Sequence, residues 1–242
     1  MKARLGDLAI GPRSPGRDGL NPNASDYTSS GIELRDFLIR NTDLHPDSKI
    51  LDLGCGTGRL GHALRHYLQN GSYYGVDLKR SYIKHCHNQF RFRKNFRFHH
   101  VDSYHREWNP GGHQDYIIPY DNGSLDLIII AGVLYYQDFP GIANIIHSAV
   151  PLLRSYGSMV MTIKLLNHHS MAHLSDKQYP YRTPDSWHYS IERPLLDVAI
   201  PEEGFRRLLI RNRLQIREPV KYGKWASAAG PLYPDLLTAV KV

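Results

Sequence analysis

The sequence predicts an α/β protein built on a doubly wound, mostly parallel sheet, and three observations carry this prediction. From about residue 27 onward, apolar strand-like segments alternate with amphipathic helix-like segments, as expected for a sheet with helices on both faces. Residues 125–130 are almost continuously apolar, which is typical of a strand buried on both faces. A glycine-rich turn at residues 54–58 joins the first strand to the next helix.

The first half of the chain contains two strand and helix pairs. A helix over residues 32–40 precedes them. Residues 49–53 form a short apolar strand that runs through the glycine turn into a helix at residues 58–69. The pattern repeats with a strand at residues 73–77 and a helix at residues 79–89.

The second half is expected to complete the sheet. Phe96 and Phe98 alternate with Arg97 as in a half-buried edge strand. Pro201 suits the first turn of a helix, and Glu202 and Glu203 suit its positive N-terminal end. The remaining predicted strands are 96–101, 125–131, 158–164, 214–219 and 235–242, and the predicted helices are 140–153 and 201–213.

The domain organisation follows from length and composition. The 242 residues suit one α/β domain or two small ones. Residues 1–26 are rich in Gly, Pro, Arg and Asn and are expected to be a flexible arm, so that residues 27–242 form one domain. Within that domain, residues 165–200 lack clear periodicity and are rich in Tyr, Trp and His. Such an insertion is typical of a lid over a substrate.

Several protein classes are excluded by composition. Cys55 and Cys86 are the only cysteines, and no C-x-x-C or Cys/His cluster is present, so neither a disulfide scaffold nor a metal site is predicted. The longest apolar stretch, residues 125–134, is too short to span a bilayer, and no transmembrane segment is predicted. We therefore expect a soluble cytoplasmic protein, with an oligomeric state that the sequence leaves open.

The glycine turn is the sharpest motif, and its charge indicates its ligand. Gly56-x-Gly58-x-x-Gly61 matches the dinucleotide fingerprint, but a lone match of this kind is weak evidence. A dinucleotide places its pyrophosphate against such a turn, where the carboxylate of Asp52 would oppose it. An acid at this position suits a cationic ligand, and S-adenosylmethionine (SAM) carries a sulfonium and an ammonium group.

Two further acids follow the next strands. Asp77 ends the second strand and can accept hydrogen bonds from both ribose hydroxyls, as it also would in a nicotinamide dinucleotide site. Asp102 ends the third strand, where it can receive an adenine amino group. Three acids at three successive strand ends match the three polar parts of SAM.

The chain resembles the class I SAM-dependent methyltransferases. This resemblance rests on residues 52–58 (Asp-Leu-Gly-Cys-Gly-Thr-Gly), 75–77 (Gly-Val-Asp), 101–102 (Val-Asp) and 121–126 (Asp-Asn-Gly-Ser-Leu-Asp), which occur in the family's order and spacing. It implies a Rossmann-like, seven-stranded sheet whose last strand, residues 235–242, is antiparallel. The cofactor contacts that it implies are Asp52, Gly54, Cys55, Gly56, Gly58, Asp77, Leu78, Asp102, Ser103, Ile130, Ala131 and Gly132.

The residues expected to act on the acceptor lie where the carboxyl edge of the sheet opens. His168 and His169, which follow the fifth strand, are the candidate general bases, since histidine titrates near neutral pH. Many relatives have a histidine in a Val-x-x-His element after the fourth strand, but this chain has Tyr136 there. Tyr135, Tyr136 and Trp187 are the expected substrate contacts.

The predicted function is O-methylation of a small molecule or of a sugar in a glycan or glycolipid. The net charge of +7 is concentrated in residues 79–106, with eight Lys/Arg and one acid, and in residues 205–224, with seven and one. Such stretches are usually solvated helix faces, but they also support a less favoured function, that of an RNA methyltransferase. A non-catalytic SAM-binding regulator and an NAD-dependent oxidoreductase are also compatible with the sequence.

Overall fold

The structure, a computed structural model, describes residues 24–113, 120–174, 178–226 and 234–242. The first half of the chain contains, in order, α1 (Ala24–Asn41), β1 (Lys49–Leu53), α2 (Arg59–Leu64), β2 (Ser72–Asp77), α3 (Arg80–Gln89) and β3 (Phe96–His100). The second half contains β4 (Leu125–Ile130), α4 (Phe139–Ala149), β5 (Leu153–Ile163), β6 (Leu165–Leu166), α5 (His168–His173), β7 (Tyr181–Arg182), β8 (Trp187–His188), β9 (Val198–Pro201), α6 (Glu202–Arg211), β10 (Leu214–Lys221) and β11 (Asp235–Lys241).

Seven of these strands form one sheet in the order β10-β11-β5-β4-β1-β2-β3. Strands β1 to β4 are parallel to their neighbours, and β5 is parallel to β4, whereas β11 runs antiparallel to both β5 and β10. The predicted fold class is therefore confirmed, including the antiparallel last strand. Because β1, β2 and β3 are parallel, the residues that follow them meet at one edge of the sheet.

Two hydrophobic cores lie on the two faces of this sheet, and alternation along β1 shows how residues divide between them. Leu51 and Leu53 belong to the core that also contains residues of α4 and α6, while Ile50 belongs to the core with residues of α1, α2 and α3. Ile128 of β4 is fully buried, as its apolar run predicts. No helix within the described ranges is long and apolar enough to cross a membrane.

Four predicted boundaries were wrong by more than three residues. Helix α1 begins at Ala24 instead of residue 32, and so within the expected arm, residues 1–26; residues 1–23 lie outside the described residues. Helix α2 ends at Leu64 instead of residue 69, since the following backbone turns to bond Pro46, whose carbonyl accepts from Gln69 N at 2.8 Å. Helix α4 ends at Ala149 because Pro151 cannot continue it, and β5 starts five residues early at Leu153.

The insertion at residues 165–200 has more regular structure than its sequence suggests. Strands β6, β9, β8 and β7 form a second, four-stranded sheet in that order. Three of these strands have two residues each, too short to produce a recognisable period. This small sheet packs on a cluster that includes Leu166, Tyr179 and Trp225, so the insertion is anchored to the domain. Residues 175–177 lie outside the described residues.

Candidate functional site

The glycine turn leaves β1 in a conformation that requires glycine at residue 54. Gly54 has φ +81°, and a Cβ there would lie 2.4 Å from Cγ2 of Val133. The amides of Gly54 and Cys55 both donate to the carbonyl of Val76, at 2.8 and 3.0 Å. The turn is thereby fastened to the end of β2.

Asp77 joins the turn to the start of α3. Its carboxylate accepts hydrogen bonds from Gly56 N at 2.9 Å and Lys79 N at 2.8 Å. Burial raises the pKa of this carboxyl group, and the two backbone donors partly offset that rise. A Cβ on Gly56 would meet nothing within 4 Å. The turn therefore faces open space beside Asp77, which leaves room for a ligand.

Asp52 is buried on the face of β1 that also carries Ile50. Only 4% of the residue is exposed, and its carboxylate accepts a hydrogen bond from the Tyr73 hydroxyl. Burial raises the pKa of Asp52 to about 6, and the Tyr73 bond opposes that rise. Asp52 therefore has a structural partner within the core, and its contact with a cofactor stays a prediction.

Two side chains of helix α1 form hydrogen bonds with the glycine turn and with the start of α2. The Tyr27 hydroxyl donates to the carbonyl of Thr57 at 2.9 Å, and burial raises the pKa of Tyr27 to about 12. A guanidinium nitrogen of Arg59 donates to the Ser30 hydroxyl at 2.9 Å. Sequence reasoning missed these contacts because it began the first helix at residue 32. Nothing local to Tyr27 or Ser30 indicates a partner about 30 residues away.

Asp102 lies two residues beyond β3 at the same edge. Its carboxylate accepts from the side-chain amide of Asn109 at 2.9 Å, and that amide also donates to the Ser103 carbonyl at 2.9 Å. Chiefly through the Asn109 bond, the pKa of Asp102 is lowered. The Asp102 side chain is 43% exposed, so it remains accessible to a ligand.

The predicted far side of the cofactor site lies between β4 and β5. Gly132 donates its N–H to the Thr162 hydroxyl at 2.8 Å. Ile130 is fully buried in the core, and its contact with the cofactor stays a prediction. Ala131 and Leu78 are partly buried and pack against the two cores.

A buried cation that sequence reasoning missed lies at the carboxyl end of β5. Lys164 is 1% exposed, and its ammonium contacts both carboxylate oxygens of Asp197 at 2.5 and 2.7 Å and the Tyr179 hydroxyl at 3.2 Å. The ammonium lies 5.8 Å from the ring centre of Tyr135 and 5.7 Å from that of Trp225. This cluster ties the end of the insertion to the main sheet.

Tyr135 and Tyr136 follow β4 and contact each other, with ring centres 4.6 Å apart. Tyr135 is 3% exposed, and its hydroxyl makes no hydrogen bond of normal geometry within the described part of the chain. Burial raises the pKa of Tyr135 well above its ordinary value. Tyr136 is half-buried, and the Trp108 ring meets it edge-on at 6.1 Å. Of the two tyrosines, Tyr136 is the more accessible to an acceptor.

The loop after β3 lies against these tyrosines and the insertion. His105 donates from Nε2 to the Tyr136 carbonyl at 2.8 Å, while its Nδ1 accepts from the amides of Glu107 and Trp108 at 3.1 and 3.2 Å. Burial lowers the pKa of His105. Glu107 forms a 2.9 Å ion pair with Arg193 of the insertion. The loop and the insertion therefore meet beside the residues that follow β4.

The remaining predicted residues lie elsewhere. Asn167 caps α5 by accepting from Ser170 N at 2.8 Å, and this start of the helix leaves His168 and His169 exposed. No hydrogen bond or ring contact among the described residues joins these two histidines to Tyr135 or Tyr136. Trp187 lies under the Arg182 guanidinium, 3.8 Å from its ring centre, and packs against the small-sheet cluster. Its predicted substrate contact also stays untested.

Comparisons with known proteins find similarity to methyltransferases. A family model described as "Methyltransferase domain" matches residues 51–159. A SAM-dependent methyltransferase from Methanosarcina mazei superposes with a TM-score of 0.58 at 20% identity, covering 85% of this chain and 97% of that one. One from Mesorhizobium loti gives 0.58 at 16% identity, with 85% and 96% coverage. Magnesium protoporphyrin IX methyltransferase from Synechocystis PCC 6803 gives 0.58 at 14% identity, with 93% and 90% coverage.

At these identities, the structural neighbours establish the fold, and the family match establishes the methyltransferase domain. That match begins in β1 and extends into β5, so it includes the glycine turn, Asp77 and Asp102. Together with the sheet order, it identifies residues 51–159 as a methyltransferase domain of the class I SAM-dependent type.

Proposed function

We propose that this enzyme transfers the methyl group of SAM to a hydroxyl oxygen of a small molecule or of a sugar in a glycan or glycolipid. The observation that supports this acceptor class is the Glu107–Arg193 ion pair, which joins the loop after β3 to the insertion. Together with the His105–Tyr136 bond, it brings the loop and the insertion together beside Tyr136. We propose that the acceptor binds between them, where Trp108, Tyr135 and Tyr136 lie, and an aromatic-lined site of this kind suits a small acceptor. The acceptor named for the Synechocystis neighbour, magnesium protoporphyrin IX, is also a small molecule.

The cofactor contacts that we propose are those predicted from the sequence. The open space at Gly56 receives the methionine part, Asp77 binds the ribose hydroxyls, and Asp102 with Ser103 binds the adenine. Each carboxylate oxygen of Asp77 accepts one backbone donor and keeps a further lone pair for a ribose hydroxyl. Asp52 contributes negative charge close to the cationic part of SAM.

The proposed role of Asp52 predicts that SAM binding depends on pH. With a pKa of about 6, Asp52 is protonated below pH 6 when SAM is absent, and a bound cation favours the ionised form. Binding at low pH must then release a proton, so we expect the affinity for SAM to be about tenfold weaker at pH 5 than at pH 7.5. Calorimetric titration of the wild type and of Asp52→Asn checks this. Equal pH dependence in the two proteins would assign the effect to another group.

The transfer itself is an in-line displacement at the methyl carbon, to which SAM supplies the reactivity. The protein must hold the acceptor oxygen about 3 Å from that carbon and exclude competing water. A neutral hydroxyl also needs a base to take its proton. His105 is unsuited to this task because both of its ring nitrogens are engaged by the backbone. The proposed bases therefore remain His168 and His169.

The acceptor class is tested by transfer of a labelled methyl group from SAM into a fractionated cell extract. We expect the label in low-molecular-weight or glycan fractions, as an ether that resists mild base. Label found only in RNA or protein, or as an N-methyl product, would contradict the proposal. A protein that binds SAM and labels no fraction would instead be the non-catalytic regulator.

The two histidines provide a second, independent prediction. If either acts as the base, the double variant His168→Ala/His169→Ala should lower kcat by about 100-fold or more and leave the affinity for SAM unchanged. The exposed His147→Ala on α4 is the control and should retain full activity. Turnover of the double variant within twofold of wild type would exclude both residues as the base.

A further inference from the structure

The structure separates two basic stretches that look alike in the sequence. In residues 205–224, Arg206 forms ion pairs with Glu202 at 2.7 Å and Glu218 at 2.6 Å. Arg207 pairs with Glu203. Two of these acids precede the stretch in the sequence and lie one helical turn from their partners. The positive charge of this stretch is therefore partly neutralised by its own surroundings.

The stretch at residues 79–106 is different. Within the described ranges, which include all of it, no salt bridge involves any of its eight basic residues. They are Lys79, Arg80, Lys84, Arg91, Arg93, Lys94, Arg97 and Arg106. Its single acid, Asp102, is held by Asn109 near the proposed cofactor site. Lys79 and Arg80 lie in electrostatic range of Asp77 and Asp102, respectively, whereas the cations from Arg91 to Arg97 form no salt bridge with an acid in the described ranges and can attract an external anion.

An exposed aromatic ring lies among these cations. Phe96 and Phe98 are buried, at 5% and 2% exposure, as predicted for a half-buried strand. Phe92, in the turn between α3 and β3, is 84% exposed, and the Arg91 guanidinium lies 4.5 Å from its ring centre. A largely exposed phenylalanine between arginines is unfavourable in the free protein, and it provides a flat apolar surface for a partner.

The position of these residues connects them to the transfer site. Strand β3 is the outermost strand on one side of the sheet, and its Arg97 side chain is exposed. Cations therefore lie at the amino end of β3 and along the strand, and Arg80 is in electrostatic range of Asp102 beyond its carboxyl end. The strand is about 17 Å long, a distance that a few nucleotides span. We call Arg91, Phe92, Arg93, Lys94 and Arg97 the β3-edge surface.

We infer that the β3-edge surface binds single-stranded RNA, with its cations on the phosphates and Phe92 stacked on a base. Charged grooves combined with exposed aromatic rings are the usual means of binding unpaired nucleic acid. A flexible polyanion can follow the cations along the strand, whereas a flat bilayer would meet only the turn around Phe92, which offers a single apolar side chain. Binding here goes beyond the proposed function and is independent of which molecule accepts the methyl group.

The test is fluorescence anisotropy with a labelled twelve-nucleotide oligouridine between 50 and 200 mM KCl. For about four neutralised phosphates, log Kd should change by about 3 per decade of salt. Phe92→Ala should weaken binding about tenfold through lost stacking. A variant with Gln at Arg91, Arg93, Lys94 and Arg97 should lose at least 30-fold in affinity and most of the salt dependence.

The second basic stretch provides a matched control. Replacing the exposed Arg207, Arg211, Arg213 and Lys224 by Gln removes the same charge and should change binding by less than threefold. Equal losses in the two quadruple variants, no binding by wild type at 50 mM KCl, or binding only to phosphatidylserine vesicles would each overturn the inference. SAM titration of every variant reports whether the fold and the cofactor site are intact, and the labelled-methyl assay tests the acceptor separately.

Discussion

Replacing Asp77 by alanine is expected to weaken SAM binding by about 100-fold or more. The proposed ribose contacts are two hydrogen bonds to a charged acceptor, each contributing about 1.5–3 kcal/mol. The change also removes the acceptor of the Gly56 and Lys79 amides, so the glycine turn loses its attachment to α3. Both effects act on the same ligand, and this makes the expected loss the largest for a single cofactor-site residue. Isothermal titration with SAM measures it.

The matched control for Asp77 is Asp121→Ala. Asp121 is an exposed acid before the amino end of β4, whereas Asp77 lies at the carboxyl end of β2. The backbone carbonyl of Asp121 accepts a hydrogen bond from the Ser124 hydroxyl. We expect this variant to bind SAM like wild type. Thermal denaturation without SAM shows whether the Asp77 variant is folded. A folded Asp77→Ala protein with an affinity within threefold of wild type would contradict the proposed ribose contact.

Replacing Lys164 by methionine is expected to destabilise the protein by about 2–3 kcal/mol. The substitution leaves the Asp197 carboxylate without its cation, and breaking a fully buried pair costs about 3–5 kcal/mol. The Asp197 side chain is 26% exposed, and water therefore offsets part of that cost. In a chain of this size we expect the melting temperature to fall by about 5–10 °C. Urea and thermal denaturation both measure the change.

Two further variants distinguish loss of the ion pair from loss of packing. Adding Asp197→Asn to Lys164→Met removes the unpaired charge and should restore part of the stability. Arg207→Met breaks the exposed pair with Glu203, whose side chains are 58% and 84% exposed, and should cost less than about 0.5 kcal/mol. If Lys164→Met and Arg207→Met are equally mild, the cluster at the end of β5 does not hold the insertion in place.

The parts of the fold that the sequence predicted best are those with strong local patterns. The apolar run of β4 and the strand, glycine turn and helix order around β1 need only neighbouring residues to specify them. The ends of helices were predicted less well, as α1 and α2 show. The end of α2 depends on the distant Pro46, which accepts the hydrogen bonds of the backbone that follows the helix.

Residues of the candidate site were likewise predicted where the order of the strands specifies their position, and missed where their contacts are distant in the sequence. Asp77 and Asp102 were predicted at the carboxyl ends of β2 and β3, since parallel strands must bring their ends to one edge. Lys164 looks like an ordinary lysine at the end of a strand until folding places it against Asp197, 33 residues away. Tyr27 likewise meets Thr57 only when α1 packs against the glycine turn.

By itself, the sequence determined the fold class, the cofactor and the line of acids along the sheet edge, because each depends on local periodicity or on the order of the strands. Only the tertiary structure decided which charges are neutralised. Arg206 finds Glu202 and Glu218 from two different elements, whereas the cations around Phe92 form no salt bridge with any acid in the described part of the chain. Electrostatic neutralisation depends on distances in space between side chains, and these distances are set only when the chain has folded.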